Sequence, residues 1–482
     1  MTSRKIVIDP VTRVEGHGRV TLMVDDNNQI EEARLHIVEF RGFERFVQGR
    51  PYWEAPVIVQ RLCGICPVSH HLAAAKAIDE IVGLTDETLP KTAKLMRRLM
   101  HYGQVLQSHA LHFFYLAAPD LLLGVNSDVN QRHVVGLSAA NPELAKKGIL
   151  LRKFGQEIIR ATAGKKIHGI SAVPGGIHKN LSLEERNYFL DGKDVPSIQT
   201  VIDWCVELLE FYKNYHLTNK VWIETFLDQP LPSLSLIGKD GALELYHGNL
   251  RCTDVDGKAV VNDVDYHRYL EFYGEEVKDW TYLKFPFIKS RGFPNGSVQV
   301  GPLARINNCD YIETPKAQKA LEEFRSINGH RSFKSLNFHW ARLIEMLHCA
   351  EKINELLADS QLQGTQLVDK KEFHGTGIGF IEAPRGTLIH HYEVDPSGEI
   401  KRCNLIVSTT HNNFAMNDAV KQVAEHVFKQ AASSRKEPIL NAIEVAIRAY
   451  DPCLSCATHA VGKMPLKVQV MQSGKVIDEF SR

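Results

Sequence analysis

No stretch of this chain is apolar for the roughly 20 residues that crossing a bilayer requires, and the opening "MTSRKIVIDPVTRVEGHG" lacks the apolar segment of a signal peptide. A cytoplasmic protein is expected. Charge of one sign is missing too: 57 Lys and Arg balance 57 Asp and Glu. With no dense basic block to follow a phosphate backbone, nucleic acid is an unsuitable partner. Cysteine is scarce, nine in 482 residues, too few and too scattered for a disulfide scaffold. In a reducing compartment such cysteines serve metal or redox work. No internal repeat or low-complexity tract interrupts the chain.

What is present is a globular composition, 44% apolar, enough for a large core. Residues 5 to 40 alternate like strands ("RKIVID", "GRVTLMV", "ARLHIVEF") around the turn "DDNNQ". From Leu95 the apolar positions Leu99, Tyr102, Leu106, Ala110 and Phe113 advance in steps of four and three, one face of a long helix. The same spacing recurs at Trp340, Leu343, Leu347 and Ala350, at Met416, Val420, Val423 and Val427, and at Ile439, Ile443 and Ile447. Between them "GTLIHHYEV", "DPSG" and "EIKRCNLIV" read as a β-hairpin. Pro174 to Asn328 is rich in turns and single strands, a pattern too weak to define its elements or to place a domain boundary. The expected class is α+β, mainly helical, with small antiparallel β units around a bundle of long helices.

Two C-x-x-C pairs stand near opposite ends. In "RLCGICPVSHH" Pro67 takes the first helical position and Leu72, Ala75, Ile78 and Ile81 follow, so Cys66 falls at the N-cap. The positive end of the helix favours a thiolate there, and His70 lies one turn on, facing the same way. In "AYDPCLSCATHA" a helix ends near Tyr450 and Cys453 and Cys456 follow Pro452 on the turn. A lone C-x-x-C could be a pair of packed thiols. Two pairs suggest one site closed by both ends of the chain. A zinc ribbon spaces its pairs about 15 to 20 residues apart, whereas nearly the whole chain separates these. Four soft thiolates suit nickel, iron or zinc.

These motifs resemble those of the large, catalytic subunit of nickel–iron hydrogenases: R-x-C-G-x-C-x-x-x-H at Arg61–His70 and D-P-C-x-x-C-x-x-H at Asp451–His459. The likeness extends through "IDPVTRVEGH", "FRGFE" and "EAPRG". "VEFRGFE", "VPGG" and "DPCLSCATHA" look most like the soluble bidirectional subgroup that couples hydrogen to NAD(P). The resemblance implies reversible conversion of hydrogen to protons and electrons at a nickel–iron centre whose iron carries carbon monoxide and cyanide. Cys63 and Cys453 would be terminal nickel ligands, Cys66 and Cys456 bridges to iron. Arg385, beside Pro384, would hang over the open metal position; Glu15 would begin a proton path; Asp120 and Asp451 would position Arg385. Arg61 and His70 would support the metals from outside, His70 by an N–H to a bridging sulfur, and Thr409 would bind a cyanide nitrogen, with Ser408 where other subgroups carry proline. Glu44, a carbonyl near Leu405 and His459 resemble a magnesium site. His109 and His112 are read as packing or hydrogen-bonding residues.

The other cysteines, at 205, 252, 309, 349 and 403, lack iron–sulfur spacing. The resemblance therefore implies an iron–sulfur small subunit and a flavin-containing diaphorase module, with no cluster or flavin in this chain. It also implies a maturation endopeptidase cutting between His459 and Ala460, which divides the chain into a catalytic domain, 1–459, and a removable extension, 460–482. "PLKVQVMQSGKVIDEF" alternates like a hairpin that could hold the second motif open. A hydrogen-sensing relative, a four-cysteine zinc protein and a quinone-reductase subunit sharing this fold are the other readings, the last disfavoured by the presence of all four cysteines.

Overall fold

A computed structural model describes residues 4–27, 29–430, 436–458, 467–472 and 475–481. The N-terminal alternation forms a meander, β1 (Arg4–Ile8), β2 (Gly18–Val24) and β3 (Ile30–Ile37), in the order β1-β2-β3. The long helices follow: α1 (Pro67–Ile81), α2 (Lys91–Leu111), α3 (Pro142–Ala163), α4 (Ile198–Thr218), α5 (Asn337–Ala358), α6 (Asn413–Gln430) and α7 (Lys436–Ala449). Helix α2 is central: α3 and α5 pack along it, and α4 packs on α5. It passes at His112 into a π-helical turn, His112–Ala117.

The weakly patterned segment 174–328 contains α4, whose buried positions Ile198, Val201, Ile202, Cys205, Leu208, Leu209, Tyr212 and His216 trace one face. Its start is set by Ser197, whose hydroxyl accepts the Thr200 N–H. The same segment holds β4 (Ser233–Ile237), β5 (Asn249–Thr253) and β6 (Ala259–Val264), a three-stranded antiparallel sheet. Another such sheet is β7 (Thr376–Ala383), β8 (Gly386–Val394) and β9 (Ile400–Ile406), with β8 at its centre, and the expected hairpin is β8 with β9. Strand β7 leaves no mark in the sequence pattern because both faces of this sheet are covered. Ile378, Phe380, Ile389 and Ile406 join one core with Leu234 and Leu250, while Ile381, Leu388 and Tyr392 join the main core. A strand buried on both sides carries no alternation.

Helix α1 rests on β7 where Gly377 and Gly379 leave room. A Cβ at either would stand 1.9 Å from a helix carbonyl, that of Ala77 or Ala73. Gly379→Ala is therefore expected to force α1 off the sheet at a cost of about 1–3 kcal/mol, the usual penalty of overpacking, read as a lower urea midpoint. A second pin is His267, which meets Glu80 of α1 and Asp265. Burial opposes its charge, but the two carboxylates raise its pKa above 6.5 to about 9. The stabilisation is then complete below pH 6.5 and lost as pH rises through 9. In His267→Gln, stability should no longer fall across that window in pH-dependent urea unfolding.

Strands β10 (Lys467–Gln472) and β11 (Lys475–Ser481) pair antiparallel as a terminal hairpin.

Candidate metal centre

Cys66 caps α1 with Pro67 behind it, as the spacing predicts, and Cys63 follows a single 3-10 turn, Gln60–Leu62. The amide nitrogens of Gln104 and Gln107 on α2 both donate to the Ile65 carbonyl, at 2.9 and 3.0 Å, and tie this loop to the central helix. The backbone N–H groups of Ile65 and Cys66 point at the Cys63 sulfur, each at 3.2 Å. On the other side α7 stops at Ala449, Asp451 adopts a left-handed φ of 52°, and Pro452 turns the chain so that Cys453 and Cys456 face the first pair. Glu15 lies beyond β1, outside any strand, in a parallel bridge with Cys453; its carbonyl accepts the Leu454 N–H. Gly16 beside it allows the contact, since a Cβ there would stand 2.7 Å from the Ser455 nitrogen.

The four sulfurs thus come together from both ends of the chain, all within 4.8 Å of one another. Cys63 and Cys453 approach to 3.2 Å and Cys66 and Cys456 to 4.0 Å, without a disulfide. All four are at least 96% buried. Hydrogen bonds from Cys453, Cys456 and Cys63 hold the Cys66 thiol well below its usual range, burial opposing and His70 assisting. Burial pushes Cys453 and Cys456 up. Sequestered thiols packed this closely outside any disulfide, with electron density to share, are what a soft or borderline cation requires. The donor set fits nickel and iron. Burial, helped by nearby carboxylates, raises Cys252 and Cys309, both to about 12, and lifts Cys205, Cys349 and Cys403 as well. These five are structural thiols.

Arg385 is buried beside the sulfurs. Its Nε donates to the Asp451 carbonyl at 2.7 Å, Nη2 to the Asp451 carboxylate at 3.0 Å and Nη1 to the Ser108 hydroxyl at 3.4 Å. Burial works against its charge, but Asp451, Cys453, Cys66 and Cys63 hold it firmly protonated. Asp451 thus holds two of the Arg385 nitrogens. The Asp120 carboxylate meets Arg13 at 2.6 Å, Arg448 at 2.9 Å and Arg132 at 3.6 Å instead. The Glu15 carboxylate accepts from the Cys453 sulfur at 3.0 Å and from the Ser455 N–H at 3.1 Å, and meets the Ser455 hydroxyl. Thr409 accepts the Cys453 N–H at 3.0 Å, and the Ser408 hydroxyl donates to the Gly386 carbonyl.

Arg61 is exposed and donates to the Val57 carbonyl, so its guanidinium does not support the centre. Glu44 accepts the Leu405 N–H at 2.9 Å, bringing those two together; His459 and Ala460 lie outside the described residues. His109 bonds Glu345 at 2.9 Å, and His112 lies 2.7 Å from the Arg448 carbonyl, both in the supporting roles expected.

Behind "EAPRG" is a buried ionic network that sequence reasoning missed. Arg305 meets Glu345 through Nε and Nη2 at 2.6 and 2.7 Å, and Glu382 through Nη1 at 2.8 Å. It also donates to the carbonyls of Ala383 and Pro384, just before Arg385. Against the upward push of burial, Arg305 and His109 hold Glu345 at about 2; burial wins at Glu382, which is raised. The only signal in the sequence is Glu382 itself, in the same motif as Arg385.

The family model of nickel-dependent hydrogenases matches residues 41–131 and 241–459, and a HoxL-like model matches 5–40. The beta subunit of the NAD-reducing hydrogenase HoxS of Cupriavidus necator is 50% identical over the full length of both chains. The matching chain of the F420-non-reducing hydrogenase vhc of Methanococcus voltae is 41% identical, covering 98% of this chain and 99% of its own. A crystal structure of an NAD+-reducing nickel–iron hydrogenase in its H2-reduced state superposes with a TM-score of 0.91 at 54% identity, over 95% of this chain and 99% of that one. With four buried thiols converging from the two ends of such a chain, the protein belongs to the nickel-dependent hydrogenases as their catalytic large subunit.

Proposed function

We propose that this subunit interconverts hydrogen with protons and electrons and delivers the electrons, through an iron–sulfur partner and a flavin-containing module, to NAD(P). The observation that carries the reading is the cluster of four buried thiols, none in a disulfide, with Arg385 and Glu15 at its edge. Full-length identity to an NAD-reducing relative supports the acceptor. Cys63 and Cys453 would hold nickel, and Cys66 and Cys456 would bridge it to an iron bearing carbon monoxide and cyanide. When bound, that pair supplies the redox chemistry that splits hydrogen, which zinc could not. Arg385, fixed by Asp451, presents a cationic fork to the reacting position. Glu15, within hydrogen-bonding distance of the Cys453 sulfur, takes the departing proton.

His70 and Thr409 support the centre from its periphery. The contact between Glu44 and the Leu405 N–H supports a magnesium site there, with His459 as its third member. Removal of 460–482 after His459 would follow nickel insertion.

The test is the nickel, iron and zinc content of anaerobically purified protein from a host with the maturation machinery. Nickel with about one iron per large chain, after subtracting the partner's clusters, is expected. Zinc alone in tail-cleaved protein would overturn the reading. Intact mass of the active enzyme should correspond to a chain ending at His459.

A further inference from the structure

We propose that Arg342 is a positioning residue of the metal centre: it clamps the end of α7 onto α5 and so holds Asp451 in the backbone conformation from which that residue aims Arg385. This role rests on the nickel–iron reading above and extends it to a side chain of α5.

Arg342 is fully buried, yet it forms no salt bridge among the described residues. Its guanidinium donates to backbone instead, Nη2 to the Ala449 carbonyl at 3.2 Å and Nη1 to the Phe338 carbonyl at 3.3 Å, with His339 Nδ1 3.5 Å from Nη1. A buried charge is costly, and an apolar side chain of that volume would serve as well if packing were all the position required. Ala449 is the last residue of α7, where unpaired carbonyls gather the negative end of the helix. The cation is therefore a C-cap supplied by a neighbouring helix.

The grip continues along the chain. The Arg448 carbonyl takes His112 at 2.7 Å and the Asp451 N–H at 3.0 Å, and the Tyr450 ring packs on that of Phe338 with centroids 5.0 Å apart. Asp451 follows at a φ of 52°, a left-handed conformation that a residue with a side chain keeps only where its surroundings enforce it. From that angle its carbonyl and its carboxylate reach the same guanidinium, that of Arg385, at 2.7 and 3.0 Å. Arg342 and Glu345 stand three apart on α5, hence on one face. Glu345 holds Arg305 behind the segment that carries Arg385, while Arg342 holds the helix end that leads into Asp451. One face of α5 thus registers the two halves of the Arg385–Asp451 pair.

The test is a double-mutant cycle on the complete, metal-loaded enzyme, with nickel quantified in each sample, beside crystal structures of the wild type and the single variant. Nickel and turnover in the wild type test the underlying reading on their own. Arg342→Met should lower turnover per nickel by about 10²-fold, the cost of a misplacement of about 1 Å. In an Arg385→Lys background the same substitution should cost less than about twofold, because the group it aims is already gone. In the variant crystal, Asp451 should leave its left-handed angle and Arg385 should lose the carboxylate contact. Should the methionine variant not accumulate, Arg342→Lys, which keeps the charge but not the fork, enters the same cycle. Undiminished turnover in the single variant, a loss repeated in full in the Arg385→Lys background, or a variant structure with Asp451 and Arg385 in their wild-type positions would each overturn the proposal.

Discussion

Arg385→Lys is expected to lower hydrogen turnover by about 10²–10³-fold, the usual cost of losing one preorganised electrostatic group, while leaving nickel and iron bound. The arginine is not a sulfur ligand, so the metals have no reason to leave. Its three nitrogens are committed in one plane, Nε and Nη2 to Asp451 and Nη1 towards Ser108. An ammonium on a flexible stem cannot satisfy the Asp451 carbonyl and carboxylate while also presenting a planar cation to the sulfurs. In so buried a position, that misalignment cannot be repaired by water. Anaerobic hydrogen uptake, measured beside the metal content of the same sample, separates the outcomes. Wild-type turnover in fully loaded lysine variant would show that the guanidinium fork takes no part in the reaction.

The parts of this centre that can be read from the chain are those whose logic is local. Cys66, Pro67 and the helix after them announce an N-cap within a few residues, and "DPCLSC" carries its turn in its own Pro452. The two pairs together imply a shared site even though most of the fold lies between them. Partnerships made only in three dimensions leave little trace. Asp120 and Asp451 look alike as acidic residues beside proline, yet one is claimed by Arg13 and Arg448 and the other by Arg385. Gln104 and Gln107 read as ordinary polar positions on α2, though both hold the Ile65 carbonyl. Strand β7 offers no alternation because the sheet is covered on both faces. Helix α4 does carry a legible stripe, but the glycines, prolines and single strands around it dominate the segment.

The network around Arg305 is the least legible feature, and it predicts a separation between stability and activity. Arg305→Met should destabilise the folded subunit by about 3–5 kcal/mol, because Glu345 and Glu382 are left as carboxylates without their counter-ion in a fully buried site. Adding Glu345→Leu and Glu382→Gln to that variant should recover most of the loss despite two further substitutions. None of the network's three charges then remains, and the amide at position 382 still offers an oxygen to the Leu236 N–H and the Thr387 hydroxyl that Glu382 accepts from. Urea midpoints of the three proteins test the order. Turnover should not recover with stability: Arg305 also binds the Ala383 and Pro384 carbonyls, and both variants lose that hold on the segment that aims Arg385. If the triple variant were no more stable than the single one, the penalty would lie in lost packing rather than uncompensated charge. If it regained turnover as well as stability, the ionic network would serve only the fold, and Arg385 would be aimed by Asp451 alone.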